Sequence, residues 1–183
     1  MNKKFTISIF TEDKIGLLNR ITIIFTRRHI NIQSITASES EIKGVYRYTI
    51  VVEVQEDHVK KLIGQIEKQV EVLKAFYHLD EEIISREIAL YKISAQALAK
   101  SEELTLLLNE HQAKIAIANA EYLAIEKTGN EKEIKLLFEK LEPYGMLEFA
   151  RSGKVAITKP MKTLYTYLKE LENKNNTVVK HFN

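Results

Sequence analysis

The sequence predicts an α+β fold in which one βαββαβ pattern is laid down twice and a helix follows. Three observations carry this. Short stretches with apolar residues at every second position alternate with stretches whose apolar residues recur every three or four. Those are the periods of a half-buried strand and an amphipathic helix. The order strand, helix, strand, strand, helix, strand covers about residues 4–78 and returns over about 86–158 without repeating the sequence. Each pass has the order and length of one ferredoxin-like module, so two ferredoxin-like domains in tandem are expected.

In the first pass, Phe5, Ile7 and Ile9 alternate with Thr6 and Ser8 and form the first strand. The stretch TEDKIGLLNRITIIFTRRHINIQS (11–34) then supplies a turn, a helix and the start of a second strand. Asp13 is the expected N-cap, since its carboxylate can accept from a free first-turn N–H. Leu17, Leu18, Ile21, Ile24 and Phe25 make one apolar stripe, with Arg20, Arg27 and Arg28 mostly off it. The second strand spans 31–38, and 40–44 reads as a hairpin connection. The third strand, 46–54, is rich in aromatic and β-branched residues. It is apolar on both faces: Ile50, Val52 and Val54 on one, Val51 with Thr49 on the other. A sheet covered on one side only needs a polar second face, so another domain or subunit is expected over this one. Val59, Leu62, Ile63 and Ile66 mark a second helix over about 58–69. Val70, Val72, Ala75 and Phe76 mark a fourth strand.

The acidic stretch from Leu79 reads as a linker, which divides the chain into a first domain (1–79), a linker (80–85) and a second domain (86–158). The second pass opens with a strand at 88–94. Ser101 is the expected cap of a helix carrying Leu104, Leu107 and Leu108, with Glu102 and Glu103 where the helix dipole favours them. Two short strands, 114–118 and 122–127, flank a turn. Asn130 and Glu133 have capping-box spacing ahead of Ile134, Leu137, Phe138 and Leu141. Pro143 and Gly145 end that helix, and 146–150 closes the unit. Residues 154–157 are expected to extend the sheet until Pro160 stops it. Met161, Leu164, Tyr165, Leu168 and Leu171 define a last helix within 159–183, and the polar tail from Asn173 is expected to be mobile.

Composition narrows the function classes. Hydrophobic residues make up 45% of the 183, enough for a real core. The net charge is +2, from 27 basic and 25 acidic residues, so there is no general electrostatic footprint for nucleic acid. Tyr46, Arg47 and Tyr48 are the one basic-aromatic cluster and read as sheet packing. The absence of cysteine excludes disulfides, thiolate metal sites and cysteine nucleophiles, and it suits a reducing compartment. His29, His58, His78, His111 and His181 are scattered, with no pair at a helical metal-ligand spacing. Glu81-Glu82 and Glu102-Glu103 sit where solvation or the helix dipole favours acids. There is no phosphate-binding P-loop and no G-x-S-x-G elbow, so no catalytic residue and no metal site is expected. The opening MNKKFTISIF reads as a strand rather than a signal peptide. No apolar run approaches the ~18 residues that span a bilayer. A cytoplasmic protein without membrane contact is expected.

Gly16 stands where the first helix begins. The first N–H groups of a helix lack internal partners, and the dipole favours an anion there. Without a Cβ, Gly16 lets a ligand carboxylate come close. The competing reading is close packing of helix on strand. From one glycine alone, packing is the more economical of the two.

Across this stretch and beyond it, the sequence resembles a known family. FTEDKIGLLNRITIIFTRRHINIQSIT is similar to the ACT domain that opens the small, regulatory subunit of acetolactate synthase (acetohydroxyacid synthase). The matching pieces are Gly16-Leu17-Leu18-x-Arg20, Phe25-x-Arg27-Arg28 and Asn31-Ile32-x-Ser34-Ile35. Further on, Arg86-Glu87-Ile88-Ala89-Leu90-Tyr91-Lys92-Ile93, Glu126-x-Thr128-Gly129 and Glu148-x-Ala150-Arg151-Ser152-Gly153 resemble later signatures in family order, covering about 4–157.

The resemblance implies a chain that is not itself a catalyst. It would activate a large subunit that joins two 2-oxo acids with thiamin diphosphate, Mg²⁺ and FAD. It would also confer feedback inhibition by a branched-chain amino acid, typically valine. A GDG-type thiamin-diphosphate motif is absent here, so those cofactors are expected on the large subunit and none on this chain. The resemblance further implies a homodimer or higher assembly. The effector would lie between Asp13, Gly16, Leu17 and Leu18 of one chain and Asn31 and Ile32 of its partner. Three positions depart from the family. Asp13 stands where Asn is common, and a carboxylate only accepts hydrogen bonds, so it would prefer an ammonium group. Lys14-Ile15 stands where proline or a small residue is frequent, and Lys14 partly offsets the acid. His29 replaces a usual glycine. A stand-alone ACT-type sensor serving a different enzyme is the alternative the sequence leaves open.

Overall fold

The structure is a computed structural model that describes residues 1–159, apart from the side chains of 98–101. From Pro160 on, the C-terminal helix and tail expected over 159–183 lie outside the described residues. The first unit runs β1 (Lys3–Glu12), α1 (Leu17–Arg27), β2 (Ile32–Glu39), β3 (Val45–Val54), α2 (Glu56–Ile66) and β4 (Val72–His78). Its antiparallel sheet has the order β2-β3-β1-β4. The second unit runs β5 (Ile83–Ser94), α3 (Ser101–Glu110), β6 (Lys114–Ala118), β7 (Tyr122–Gly129), α4 (Glu131–Leu141) and β8 (Met146–Arg151), with the same order, β6-β7-β5-β8. A last strand, β9 (Val155–Thr158), pairs with β5. Both units are thus the expected ferredoxin-like folds.

Each unit builds one core between its sheet and its helices. In the first, Phe5, Ile7 and Ile9 of β1 meet Ile50 and Val52 of β3 beneath Leu17, Ile21 and Phe25 of α1 and Val59, Leu62 and Ile66 of α2. In the second, Ala89, Tyr91 and Ile93 of β5 and Leu123 and Ile125 of β7 meet Leu104, Leu108, Ile134, Leu137 and Leu141. The capping box at α4 is formed in both directions: Glu133 N donates to Asn130 Oδ1 at 3.0 Å, and Asn130 N to Glu133 Oε2 at 2.9 Å. Two of the four unpaired donors at that helix start are satisfied by this exchange. Helix α3 begins at Ser101 itself, after a 3₁₀ stretch at Ala95–Lys100.

One expectation needs correction. The stretch 80–85 is not a plain linker. Asp80–Glu82 form a 3₁₀ turn, and β5 already starts at Ile83, five residues before the strand expected from Ile88. Its first residues pair with β9, Ile83 with Thr158 through Arg86 with Val155, while the rest of β5 pairs with β7 and β8. So β9 extends the second sheet through β5, as expected, and with the start of β5 it makes a two-stranded ribbon off the main strand order.

The cover expected over the third strand comes from that ribbon. Thr6, Ser8, Thr49 and Val51 lie on the sheet face away from α1 and α2, yet none is more than 5% exposed. Their cover comes from the same chain. Arg47 reaches from β3 and donates to the Ala156 carbonyl on β9 and, at 3.2 Å, to Ser8 Oγ. Gly153 is so close to β2 that a Cβ there would lie 2.3 Å from Thr36 Oγ1. The side chains of Ile83 and Ala156 are buried. Lys154 Nζ binds Asp80 Oδ1 at 2.7 Å, and Lys4 of β1 binds Glu131 of α4 at 2.5 Å. The double-faced apolar pattern of the third strand is thus covered by a segment of the second domain, one of the two covers expected for it.

Candidate effector site

The segment between β1 and α1 is anchored by its backbone. Asp13 N donates to Gly44 O at 3.1 Å, tying the loop to the β2–β3 connection, and Leu17 N contacts Lys14 O at 3.4 Å. Asp13 is therefore not the N-cap that was expected; its side chain is exposed. The N-cap is Gly16, at φ 82° and ψ −3°, with no side-chain cap. A left-handed cap has its own carbonyl in place for the first helical bond, accepted from Arg20 N at 3.2 Å. It leaves no side-chain acceptor over the turn. The amides of Leu18 and Asn19 have no backbone acceptor among the described residues, and the dipole adds partial positive charge at the same place.

The surroundings of Gly16 remove one of the two sequence readings. A Cβ built on it meets nothing within 4 Å, so close packing does not explain the glycine. The left-handed φ does, since only glycine visits that region at no steric cost. The space in front of it is open to a ligand. The charges around it are partly committed. Lys14 Nζ pairs with Glu12 Oε2 at 2.7 Å, and this hydrogen bond holds the lysine pKa above its ordinary value. It thus neutralises Glu12 rather than Asp13. Arg20 pairs with Glu71 at 2.8 Å and holds that carboxyl below its ordinary value. Asp13 is exposed in the loop that leads into the helix.

The other expected residues divide. The Leu18 side chain is 42% exposed, whereas Leu17 is fully buried in the core and offers a ligand no side chain. Asn31 is exposed and Ile32 half-buried against the core, at the start of β2, an edge strand. They lie beyond the far end of α1 from Gly16. Eleven helical residues separate the two ends, about 16 Å at 1.5 Å per residue. One chain therefore does not bring the two groups together. Sequence reasoning missed the Asn19 amide, because a free backbone donor depends on the cap conformation and not on the residue type. Among the described residues there is no cluster of three potential metal ligands, and no helix is long and apolar enough to cross a membrane.

Comparison with known proteins agrees with this architecture along its length. Residues 7–74 match the family model described as an AHAS small subunit-like ACT domain, and residues 86–160 match the one described as the small subunit of acetolactate synthase. The acetolactate synthase small subunit of Mycolicibacterium smegmatis is 36% identical over 84% of this chain and 90% of its own length. That of Bacillus subtilis is 36% identical over 85% and 91%. The crystal structure of the small subunit from Thermotoga maritima superposes with a TM-score of 0.79 at 29% identity, over 87% of this chain and 99% of that one. With both halves matched in order and its curated relatives covered almost end to end, the chain belongs to the acetolactate synthase small-subunit family.

Proposed function

We propose that the chain is the regulatory subunit of an acetolactate synthase that serves branched-chain amino-acid biosynthesis in the cytoplasm. It raises the turnover of a thiamin-diphosphate-dependent catalytic subunit and makes that subunit sensitive to a branched-chain amino acid, valine first among the candidates. The observation that carries the effector part is Gly16: a helix start that requires glycine, with open space before it and the amides of Leu18 and Asn19 unpaired. The ligand carboxylate takes those amides, its ammonium group takes Asp13, and its branched side chain lies on Leu18. Asn31 and Ile32 of the partner subunit complete the site in a homodimer, because a single chain holds them a helix length from Gly16.

Calorimetric titration of the full chain with valine, leucine and isoleucine tests the effector. Mixing with the matching catalytic subunit tests activation. Binding of one amino acid, with a raised rate that this amino acid then suppresses, is expected. A catalytic rate unchanged across a wide excess of this chain would overturn the reading.

A further inference from the structure

A second site lies at the other end of α1. The last turn of α1 and the exposed side of α2 enclose a groove of ≈ 660 Å³, within the usual 300–1,000 Å³ of small-molecule sites. Arg27, Arg28 and His29 line one wall, and His58, Gln65 and Lys68 the other. Arg28 Nε donates across the groove to Gln65 Oε1 at 2.5 Å. No carboxylate lines it. Among the described residues, Arg27, Arg28, His29, His58 and Lys68 form no ion pair, whereas Lys3, Lys14, Arg20 and Lys60 of the same unit each do.

Cations from two helix ends converge on this groove. The dipole accounts for Arg27 and Arg28 at the end of α1. Lys68 comes from just beyond the end of α2, so three cations from two helices line one groove. His29 is held at φ 53°, a left-handed cap conformation that favours glycine. Its N–H donates to Thr26 O at 3.0 Å, and Ile30 N closes back on Phe25 O at 3.0 Å. These are the two bonds of a common helix end, so the conformation serves the cap while the residue lines the groove.

We propose that this groove binds a small anion carrying two linked phosphate groups. The guanidinium forks suit phosphate oxygens, and two arginines and a lysine match the charge of a diphosphate better than that of a single carboxylate. The groove lies a helix length from Gly16 of the same chain, and His29 and Ile30 on its wall directly precede Asn31 and Ile32; pyrophosphate binding is read with no amino acid present, so it is tested independently of the effector site.

Titration of the full chain with inorganic pyrophosphate, beside orthophosphate and sulfate, tests it. Saturable binding of one pyrophosphate per chain is expected, at least tenfold tighter than either single anion. Arg28→Gln and Lys68→Gln should each weaken it about tenfold, as loss of one charge-assisted contact does. Lys61→Gln, on α2 but off the groove, should not. His29→Gly separates ligand contact from a purely structural role. Relief of the left-handed strain should raise the melting temperature by a few degrees while binding weakens. Absence of saturable binding, equal affinity for sulfate, or unchanged affinity in Arg28→Gln and His29→Gly would overturn the proposal. A methyl diphosphate ester that binds as well as pyrophosphate would place the source among phosphorylated metabolites. Its exclusion would point to the free anion.

Discussion

Gly16 shows how one dihedral angle joins stability to function. At φ 82° any side chain is strained, by roughly 1–2 kcal/mol for an ordinary L-residue. Gly16→Ala should lose about that much stability in urea unfolding. Gly16→Asp should lose less, because aspartate visits the left-handed region more readily. Its carboxylate, however, would stand before the Leu18 and Asn19 amides. A charge-assisted contact contributes roughly 1.5–3 kcal/mol, so effector binding should fall by about tenfold to a hundredfold, read by calorimetry. Full binding by a folded Gly16→Asp chain would remove the helix start from the site. Tyr91 offers a residue-scale test that concerns the fold alone. Its hydroxyl donates to Ile134 O at 2.8 Å inside the second core, and burial pushes its pKa up to about 12. An unfolded tyrosine ionises near pH 10. Between about pH 10 and 12 the unfolded chain therefore loses a proton that the folded chain keeps, and stability falls as pH rises. The loss approaches ~2.7 kcal/mol at two pH units. The melting temperature should fall from about pH 10 to 12 in the native chain and fall less in Tyr91→Phe.

At the scale of elements, local signals were legible and nonlocal ones were not. The stripe of α1, the capping box of α4 and the alternation of β1 each depend on residues within one or two turns, and each is found where the sequence puts it. The start of β5 depends on β9, some seventy residues away. Asp80-Glu81-Glu82 and Ser85-Arg86-Glu87 hide it, because polar residues beside the two isoleucines read as linker. Asp13 misled for a related reason: an acid near a helix start is the usual cap, but Gly44 draws its backbone into the neighbouring loop. Glu87 is the polar residue in β5 whose position matters most. It is 5% exposed, and its Oε2 lies 3.4 Å from Arg151 Nε without making a hydrogen bond. Burial raises its pKa; Arg151 works against the rise, and the like charge of Glu131 adds to it. A carboxyl whose folded pKa lies above its unfolded value binds protons more readily when folded. Its contribution is full at low pH and is lost as pH climbs through the unfolded value near 4.3. Glu87→Gln should therefore stabilise the chain at pH 7, and the gain should shrink at pH 4 in paired urea titrations.

The whole molecule is two repeats joined by more than a tether. β5 runs from the ribbon over the first sheet into the centre of the second, and Arg47, Lys154–Asp80 and Lys4–Glu131 fasten the units on either side. The sequence showed that the third strand needed a cover but not what supplies it, since strand alternation records burial and not the identity of the neighbour. The turn at Gly153 is where that cover is most tightly fitted. A Cβ there would lie 2.3 Å from Thr36 Oγ1 and 2.8 Å from the Ile35 carbonyl. The second of these is backbone and cannot rotate away. In Gly153→Ala the turn must lift from β2, and β9 moves with it. Thr6, Ser8 and Val51 then lose their shield, and Arg47 loses the Ala156 carbonyl. Overpacking of this kind costs on the order of 1–3 kcal/mol. The native chain should unfold in one cooperative transition, because neither unit can open without disturbing β5. Gly153→Ala should lower the midpoint and split the transition, with the first unit melting ahead of the second. Calorimetric scanning reads both effects, and a single transition at an unchanged midpoint would show that the ribbon does not hold the first sheet.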